Sequence, residues 1–283
     1  MITHLHTITQ QLNLKQLMSQ EFRSSRQLCL LPLWLGLLVA VAIPLFEHHP
    51  GGYNGVSPLI SLIAIAFGMR HLVLGRAVQA DRWDWITAVI LALVFILPSQ
   101  QLSWVLLMAV SGWCLLRGDM DPLSRRCFLL IISVAVINLV ALYTLKILAA
   151  PVLSLDAALV TWWIEWIHDE GSRLGNIVYG PADHELLILR GCSSVKLFAD
   201  ALAAWFIVAR SRGLMPSRNE FAILIALCTL LAILNMLRLY SMALDQQWHT
   251  WWHTELGLQV FQILAIVIVF SVISRGLKYV EKH

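Results

Sequence analysis

Apolar stretches of bilayer-spanning length recur along nearly the whole chain, and no other feature limits its possible folds as tightly. A helix needs about 17 to 25 predominantly apolar residues to cross the hydrocarbon. Eight such stretches can be read: Leu28 to Phe46, Val56 to Gly75, Asp84 to Leu97, Leu102 to Leu116, Cys127 to Ala150, Ser193 to Ala209, Phe221 to Tyr240 and His253 to Ser274. The third and fourth are short and flank Pro98, as the arms of a single broken hairpin would. Composition points the same way, because 59% of the 283 residues are hydrophobic and 13% charged, where a soluble domain carries about a quarter charged residues. The expected fold is an all-α polytopic membrane protein of about eight transmembrane helices. A cytoplasmic segment, 1–27, precedes a single membrane-embedded domain, 28–283.

Lys and Arg in short loops are retained on the cytoplasmic side of a membrane, and here alternate loops differ sharply. One set holds Lys15, Arg23, Arg26, Arg76, Arg82, Arg117, Arg125, Arg126, Arg210, Arg212, Arg218, Arg275, Lys278 and Lys282; the other holds only Arg173 and Arg190. This asymmetry puts both termini in the cytoplasm and segments 47–55, 98–101, 151–191 and 241–252 on the far side. The net charge of +3 is then a product of topology and implies no nucleic-acid partner. The surroundings are membrane lipid.

The N-terminal "MITHLHTITQQLNLKQLMSQEFRSSRQ" is too long and polar for the leading region of a cleaved signal peptide and reads as an amphipathic lead-in. Neither a phosphate-binding Walker loop nor a dinucleotide fingerprint occurs, which argues against an ATP-driven pump and implies no nucleotide cofactor.

The long outer segment, 151–191, departs from generic membrane helix. In "SLDAALVTWWIEWIHDEG" a Ser or Asp cap precedes Trp162, Trp163, Trp166 and Ile167 at helical spacing, the pattern of a helix lying in the interface with indoles at headgroup depth. In "LGNIVYGPADHELLILRG" two β-prone runs flank turn residues, the pattern of a hairpin. Cys192 follows at once, at the expected first turn of the sixth span.

Of the five cysteines, Cys29, Cys114 and Cys127 fall toward cytoplasmic helix ends and Cys228 inside the seventh span. Cys192 alone belongs to the outer side, so no intrachain disulfide partner is available there. A helix N-terminus favours thiolate through its dipole and free N–H groups, and Lys196 follows at helical spacing. A cysteine nucleophile also needs a base and a group to hold the developing oxyanion. The seventh span ends outward with "LNMLRLY", carrying Asn235 and Arg238, and the eighth begins with "HTWWHTELG", carrying His253. Cys192, Arg238 and His253 come from three helices, yet the topology sets them at one depth on one side.

These residues resemble the exosortase and archaeosortase family. Its members are polytopic membrane enzymes with a cysteine in a Cys-Ser-Gly type motif, an arginine in an Asn-x-x-Arg motif ending a later helix, and a histidine opening the last helix shortly before a glycine. The matches are Cys192 in "GCSSVK", Arg238 in "NMLR" and His253 in "HTELG", with Gly257 four residues on; Ser194 stands where the family usually has Gly. The resemblance implies a cysteine protease or transpeptidase of the cell membrane, in a bacterium the inner membrane, that needs no cofactor. Its substrates are exported proteins carrying a C-terminal recognition motif, apolar helix and basic tail. Cys192 would be the nucleophile, His253 the base and then acid, and Arg238 the oxyanion group. Asn235, Lys196 and Ser193 would support them.

Two other classes compete. A zinc hydrolase is suggested by His249 and His253 at i and i+4, with His168, Asp169, His184 and Glu185 in the outer loop, but Thr250 stands where a zincin has Glu. A small-solute transporter is suggested by Arg70, His71 and Lys146 in or near spans; Arg70 and Lys146 lie close enough to helix ends to snorkel. Two facing histidines for a b-type haem are not matched, because His71 and His253 belong to opposite membrane faces. Neither the recognition motif, nor the acceptor that resolves an acyl-enzyme, nor the oligomeric state can be read from the chain.

Overall fold

Apolar helices dominate the computed structural model, which describes residues 58–74, 80–95, 100–117, 122–181, 184–215 and 217–280. The 1–27 segment, the stretch from Leu28 to Phe46, Cys29, Arg76 and Pro98 lie outside the described residues. Nine α-helices among the described residues follow in chain order: α1 Pro58–Leu74, α2 Arg82–Phe95, α3 Gln100–Leu116, α4 Pro122–Ile147, α5 Ala149–His168, α6 Ser194–Ser211, α7 Arg218–Leu244, α8 Gln246–His253 and α9 Glu255–Val280. Between α5 and α6 run three short strands, β1 Ser172–Leu174, β2 Ile177–Tyr179 and β3 Glu185–Leu187, joined in an antiparallel sheet of order β1-β2-β3.

Three described helices, α4, α7 and α9, are long and apolar enough to cross a bilayer, and Ile60–His71 and Trp104–Leu116 are shorter apolar segments. Only 17% of the apolar window of α9 is buried within the protein. Leu258, Ile263, Leu264, Ile266, Val267 and Phe270 all stand exposed. In water so continuous an apolar face would be an aggregation liability; in hydrocarbon it is the expected outer surface.

Helix α4 lies at the centre of one half, packed on α1, α3 and α6. Its face of Cys127, Leu130, Ile131, Val134 and Ala135 meets Trp104 and Leu107 of α3. In the other half α7 packs on α5, α6, α8 and α9. At one end of this half lies a buried polar cluster. Arg210, in the last turn of α6, forms two hydrogen bonds to Glu220 at 2.8 and 2.9 Å, and the Trp205 indole donates to the same carboxylate at 2.7 Å. Ser217 caps α7 there, its hydroxyl accepting from the Glu220 N–H. Positive-inside counting treats Arg210 as a loop charge, but its side chain is 2% exposed and fully engaged.

At the opposite end the small sheet closes over the junction of α5 and α7. Val178 and Leu186 point inward from adjacent strands onto Leu153, Ala157, Val160 and Ile164 of α5 and Leu239, Met242 and Ala243 of α7. The sheet approaches so closely that a Cβ on Gly180 would lie 1.9 Å from the Ala243 carbonyl oxygen, so no other residue fits there without moving the loop.

Helix α5 differs from its expected form in two ways. It begins at Ala149 rather than at a Ser154 or Asp156 cap, so Asp156 sits mid-helix and buried. Leu153, Ala157, Val160 and Ile164 are spaced to make one continuous inward face, and packing that face carries the helix back past the polar residues. The tryptophans also do not share one side. Trp162 and Trp166 stack in the open with centroids 6.3 Å apart, while Trp163 turns inward, edge-on to Tyr240 of α7.

Removing one partner of a buried ion pair leaves an uncompensated charge, which costs about 3–5 kcal/mol. Arg210→Ala is therefore expected to lower the thermal unfolding midpoint of the detergent-solubilised protein sharply. The double variant Arg210→Met/Glu220→Leu, which removes both charges, should recover most of the loss in the same scan.

Candidate active site

The chain reaches Cys192 through a 3-10 turn, Arg190–Cys192, and only then enters α6. Ser193 is extended (φ −70°, ψ 141°) and acts as the N-cap, its hydroxyl accepting from the Val195 N–H at 3.3 Å. Cys192 thus precedes the helix instead of occupying its first turn. That changes the expected place of Lys196 as well, because the i, i+4 facing rule holds only within one continuous helix, and the extended Ser193 interrupts it. Cys192 is half-buried and free, on the edge of the apolar cluster shared by α5, the sheet and α7.

Asn235 of α7 meets this turn. Its Nδ2 lies 2.9 Å from the Cys192 carbonyl oxygen and 3.0 Å from Ser194 Oγ. A carbonyl can only accept, so the atom facing it must be the amide nitrogen. Asn235 therefore holds the Cys192 backbone. Ser194 in turn bonds Asp156 of α5, through its N–H to Oδ2 at 3.4 Å and its hydroxyl to Oδ1 at 3.2 Å. Burial pushes the Asp156 carboxyl above its ordinary value; the Ser194 amide and hydroxyl and the Ser193 hydroxyl pull it back.

Arg238 lies one turn beyond Asn235 on α7. It is 8% exposed, its Nε has no hydrogen-bond partner, and no carboxylate pairs with it among the described residues. Its guanidinium carbon stands 4.7 Å from the centroid of the Phe261 ring of α9, a cation–π contact. It is close enough to Cys192 for the two to interact electrostatically. A buried arginine with no anionic partner is costly to keep, which makes it the most informative side chain at this end of the bundle.

His253 is the last residue of α8, not the first of the final helix. Thr254 (φ −70°, ψ 160°) breaks the helix, donates its hydroxyl proton to the Trp251 carbonyl at 2.6 Å, and accepts from the Gly257 N–H at 3.1 Å, so that it starts α9. The His253 Nδ1 lies 2.8 Å from the His249 carbonyl oxygen. Nδ1 must then carry the proton, which leaves Nε2 of the neutral ring as an acceptor. His253 is exposed, and its hydrogen bond goes to His249 rather than to Cys192 or Arg238.

The neighbouring Trp252 anchors α8 to the arginine's surroundings. Its indole donates to Ser241 Oγ at 2.6 Å, Ser241 donates to the Arg238 carbonyl at 2.8 Å, and its ring stands edge-on to Phe261. Cys192, Asn235 and Arg238 thus lie at one end of the bundle, with His253 on the adjoining helix α8, which Trp252 ties to α7.

His184, His249 and His253 form a row of ring contacts, with centroids 5.7 and 4.5 Å apart, while His168 is drawn away to the Tyr240 hydroxyl at 2.9 Å. Among the described residues no group of three or more His, Cys, Asp or Glu is arranged to hold a metal ion. Burial, then His253 and His184, pushes the His249 imidazole below its ordinary pKa. Because the folded protein then binds that proton less readily than an unfolded chain, acidification below the ordinary histidine value weakens α8, and raising the pH above it costs nothing. Of the residues in the transporter alternative, Arg70 and Lys146 are exposed and His71 is buried.

A helical membrane protein carrying a buried arginine with no carboxylate partner, within electrostatic reach of a free thiol, belongs among membrane-embedded proteins with a built polar site. Residues 47–270 match the family model of the transmembrane exosortases. The chain belongs to that family, whose members have a sorting transpeptidase-type role on exported proteins. No curated protein and no solved structure matches it.

Gly257 explains itself in this geometry. A Cβ there would stand 2.2 Å from the Trp251 carbonyl oxygen and 2.9 Å from Trp252 Cα, so only glycine lets α8 fold back on the start of α9. Gly257→Ala is expected to cost about 1–3 kcal/mol through overpacking, seen as a lower unfolding midpoint. Gly191→Ala, where the added methyl meets nothing within 4 Å, should leave the midpoint unchanged.

Proposed function

We propose that this protein is a membrane cysteine protease or transpeptidase that cleaves the C-terminal sorting signals of exported proteins. The observation that carries this reading is the Arg238 guanidinium, buried without a carboxylate and within electrostatic reach of the Cys192 thiol. A cation kept unpaired at such cost is suited to an anion that exists only during reaction.

In this mechanism Cys192 gives its proton to His253 and its sulfur attacks the scissile carbonyl. Arg238 meets the oxyanion that forms. Collapse breaks the C–N bond, His253 protonates the leaving amine, and a thioester joins the substrate to Cys192. Water or an acceptor amine, deprotonated by His253, then breaks the thioester and restores the thiol. The Nδ1 bond to the His249 carbonyl supports this role, because it keeps Nε2 free to accept. The exposed position of His253 fits a base that closes on Cys192 when substrate is seated, since catalytic hydrogen bonds are often long before the complex forms.

The site faces the outer side of the bacterial inner membrane, with both termini cytoplasmic. A substrate helix with a basic cytoplasmic end then lies alongside the spans and presents its recognition motif at the level of Cys192.

Cys192→Ala, Arg238→Ala and His253→Ala are each expected to stop substrate maturation with the protein still in the membrane, read as the ratio of full-length to processed substrate. Arg238→Lys should lose roughly 10²–10³-fold in rate, because an ammonium does not reproduce a planar pair of donors. Full processing by Cys192→Ala would sink the proposal.

A further inference from the structure

Asp156 has no role in the chemistry above, yet it is one of the few carboxylates buried in the described residues, 6% exposed. No lysine or arginine among the described residues pairs with it. It bonds Ser194, two positions after the nucleophile, and the Ser193 hydroxyl also lies within its reach.

The proton positions along this contact follow from chemistry. The Asn235 nitrogen is a pure donor and stands 3.0 Å from Ser194 Oγ, so the Ser194 hydroxyl accepts there and its single proton must point elsewhere. Asp156 Oδ1, 3.2 Å away, takes it, and Oδ2 accepts the Ser194 backbone N–H. The result is an ordered chain: Asn235 donates to Ser194, Ser194 donates to Asp156, and the second amide proton of Asn235 holds the Cys192 carbonyl at 2.9 Å. Helices α5, α6 and α7 each contribute one member. Ser194 is the point where this chain departs from the usual glycine of the family motif, and a glycine there has no hydroxyl to link the other two.

We propose that Asp156 is a positioning residue for the nucleophile: through Ser194 and Asn235 it fixes the turn that aims Cys192. This inference rests on Cys192 being the nucleophile. Without the carboxylate, the Ser194 hydroxyl and N–H lose their acceptor, Asn235 is free to rotate, and the Cys192 carbonyl loses its anchor. A nucleophile displaced by about 1 Å can lose roughly a hundredfold in rate.

The test uses the full-length protein in membranes, with Asp156→Ala, Asp156→Asn, Ser194→Gly and the double variant Asp156→Ala/Ser194→Gly. Two quantities are followed per folded molecule: substrate processing, and the pH profile of Cys192 alkylation by iodoacetamide, read on the Cys192 peptide by mass spectrometry. Asp156→Ala is expected to lower processing roughly ten- to a hundredfold and to displace the alkylation profile. Asp156→Asn, which keeps one oxygen acceptor, should fall between it and the parent. The double variant should be no worse than the poorer single one, because both act through one chain. The proposal is overturned if Asp156→Ala lowers only the amount of folded protein, with both per-molecule readouts unchanged, or if the single losses multiply in the double variant. The alkylation profile needs no cleavage, so a failure of Asp156 to position the thiol is distinguishable from a failure of Cys192 as nucleophile, which Cys192→Ala tests separately.

Discussion

Hydrocarbon offers no water to a polar group, so every donor and acceptor in a membrane bundle must find its partner inside the protein or at an interface. This constraint orders the structure. Glu220 is closed off by Arg210, Trp205 and the N-terminus of α7. Asn235 uses both amide protons on the turn that holds Cys192. Against that background the Arg238 Nε is buried with no acceptor, and in the proposed reaction its partner arrives with the substrate. The proposed reaction supplies that cation with an acceptor.

The same constraint explains why the site is assembled from several elements. α5 contributes Asp156, α6 begins at Ser194, α7 carries Asn235 and Arg238, and α8 ends at His253. Sheet and helix close over the junction through Gly180 against Ala243 and Gly257 against Trp251, two contacts that leave no room for a side chain. The apolar cluster of α5, sheet and α7 packs at this same junction, with Cys192 against it.

Much of this was legible in the sequence because apolar run length is a direct consequence of bilayer thickness. Cys192, Arg238 and His253 were proposed as a site because the expected topology would bring residues of distant helices to one depth. Helix boundaries near the site were not legible. "HTWWHTELG" has no proline and no glycine before Gly257, so the one local signal of the break is the capping preference of Thr254, whose hydroxyl accepts from the Gly257 N–H. Ser154 or Asp156 was read as the cap because either residue type is favoured at an N-cap before an apolar run. The signal that could have found Asp156 is register: it adjoins Leu153, Ala157 and Val160, the inward face of α5, where a carboxylate needs a buried donor. Asn235 entered as a supporting residue through the Asn-x-x-Arg resemblance, but its bonds to Cys192 and Ser194 connect residues more than forty positions apart, beyond the reach of local pattern.

The central claim is that Cys192 carries the substrate as a thioester while Arg238 serves the oxyanion. The most direct measurement is peptide mapping of protein isolated from cells that express a substrate, after rapid acid quench, with and without neutral hydroxylamine. The account predicts a substrate-derived acyl group on the Cys192 peptide that hydroxylamine removes, and none on the peptides of Cys114, Cys127 or Cys228. Substrate processed at the normal rate with no acyl group on Cys192, or an acyl group on another residue, would contradict it.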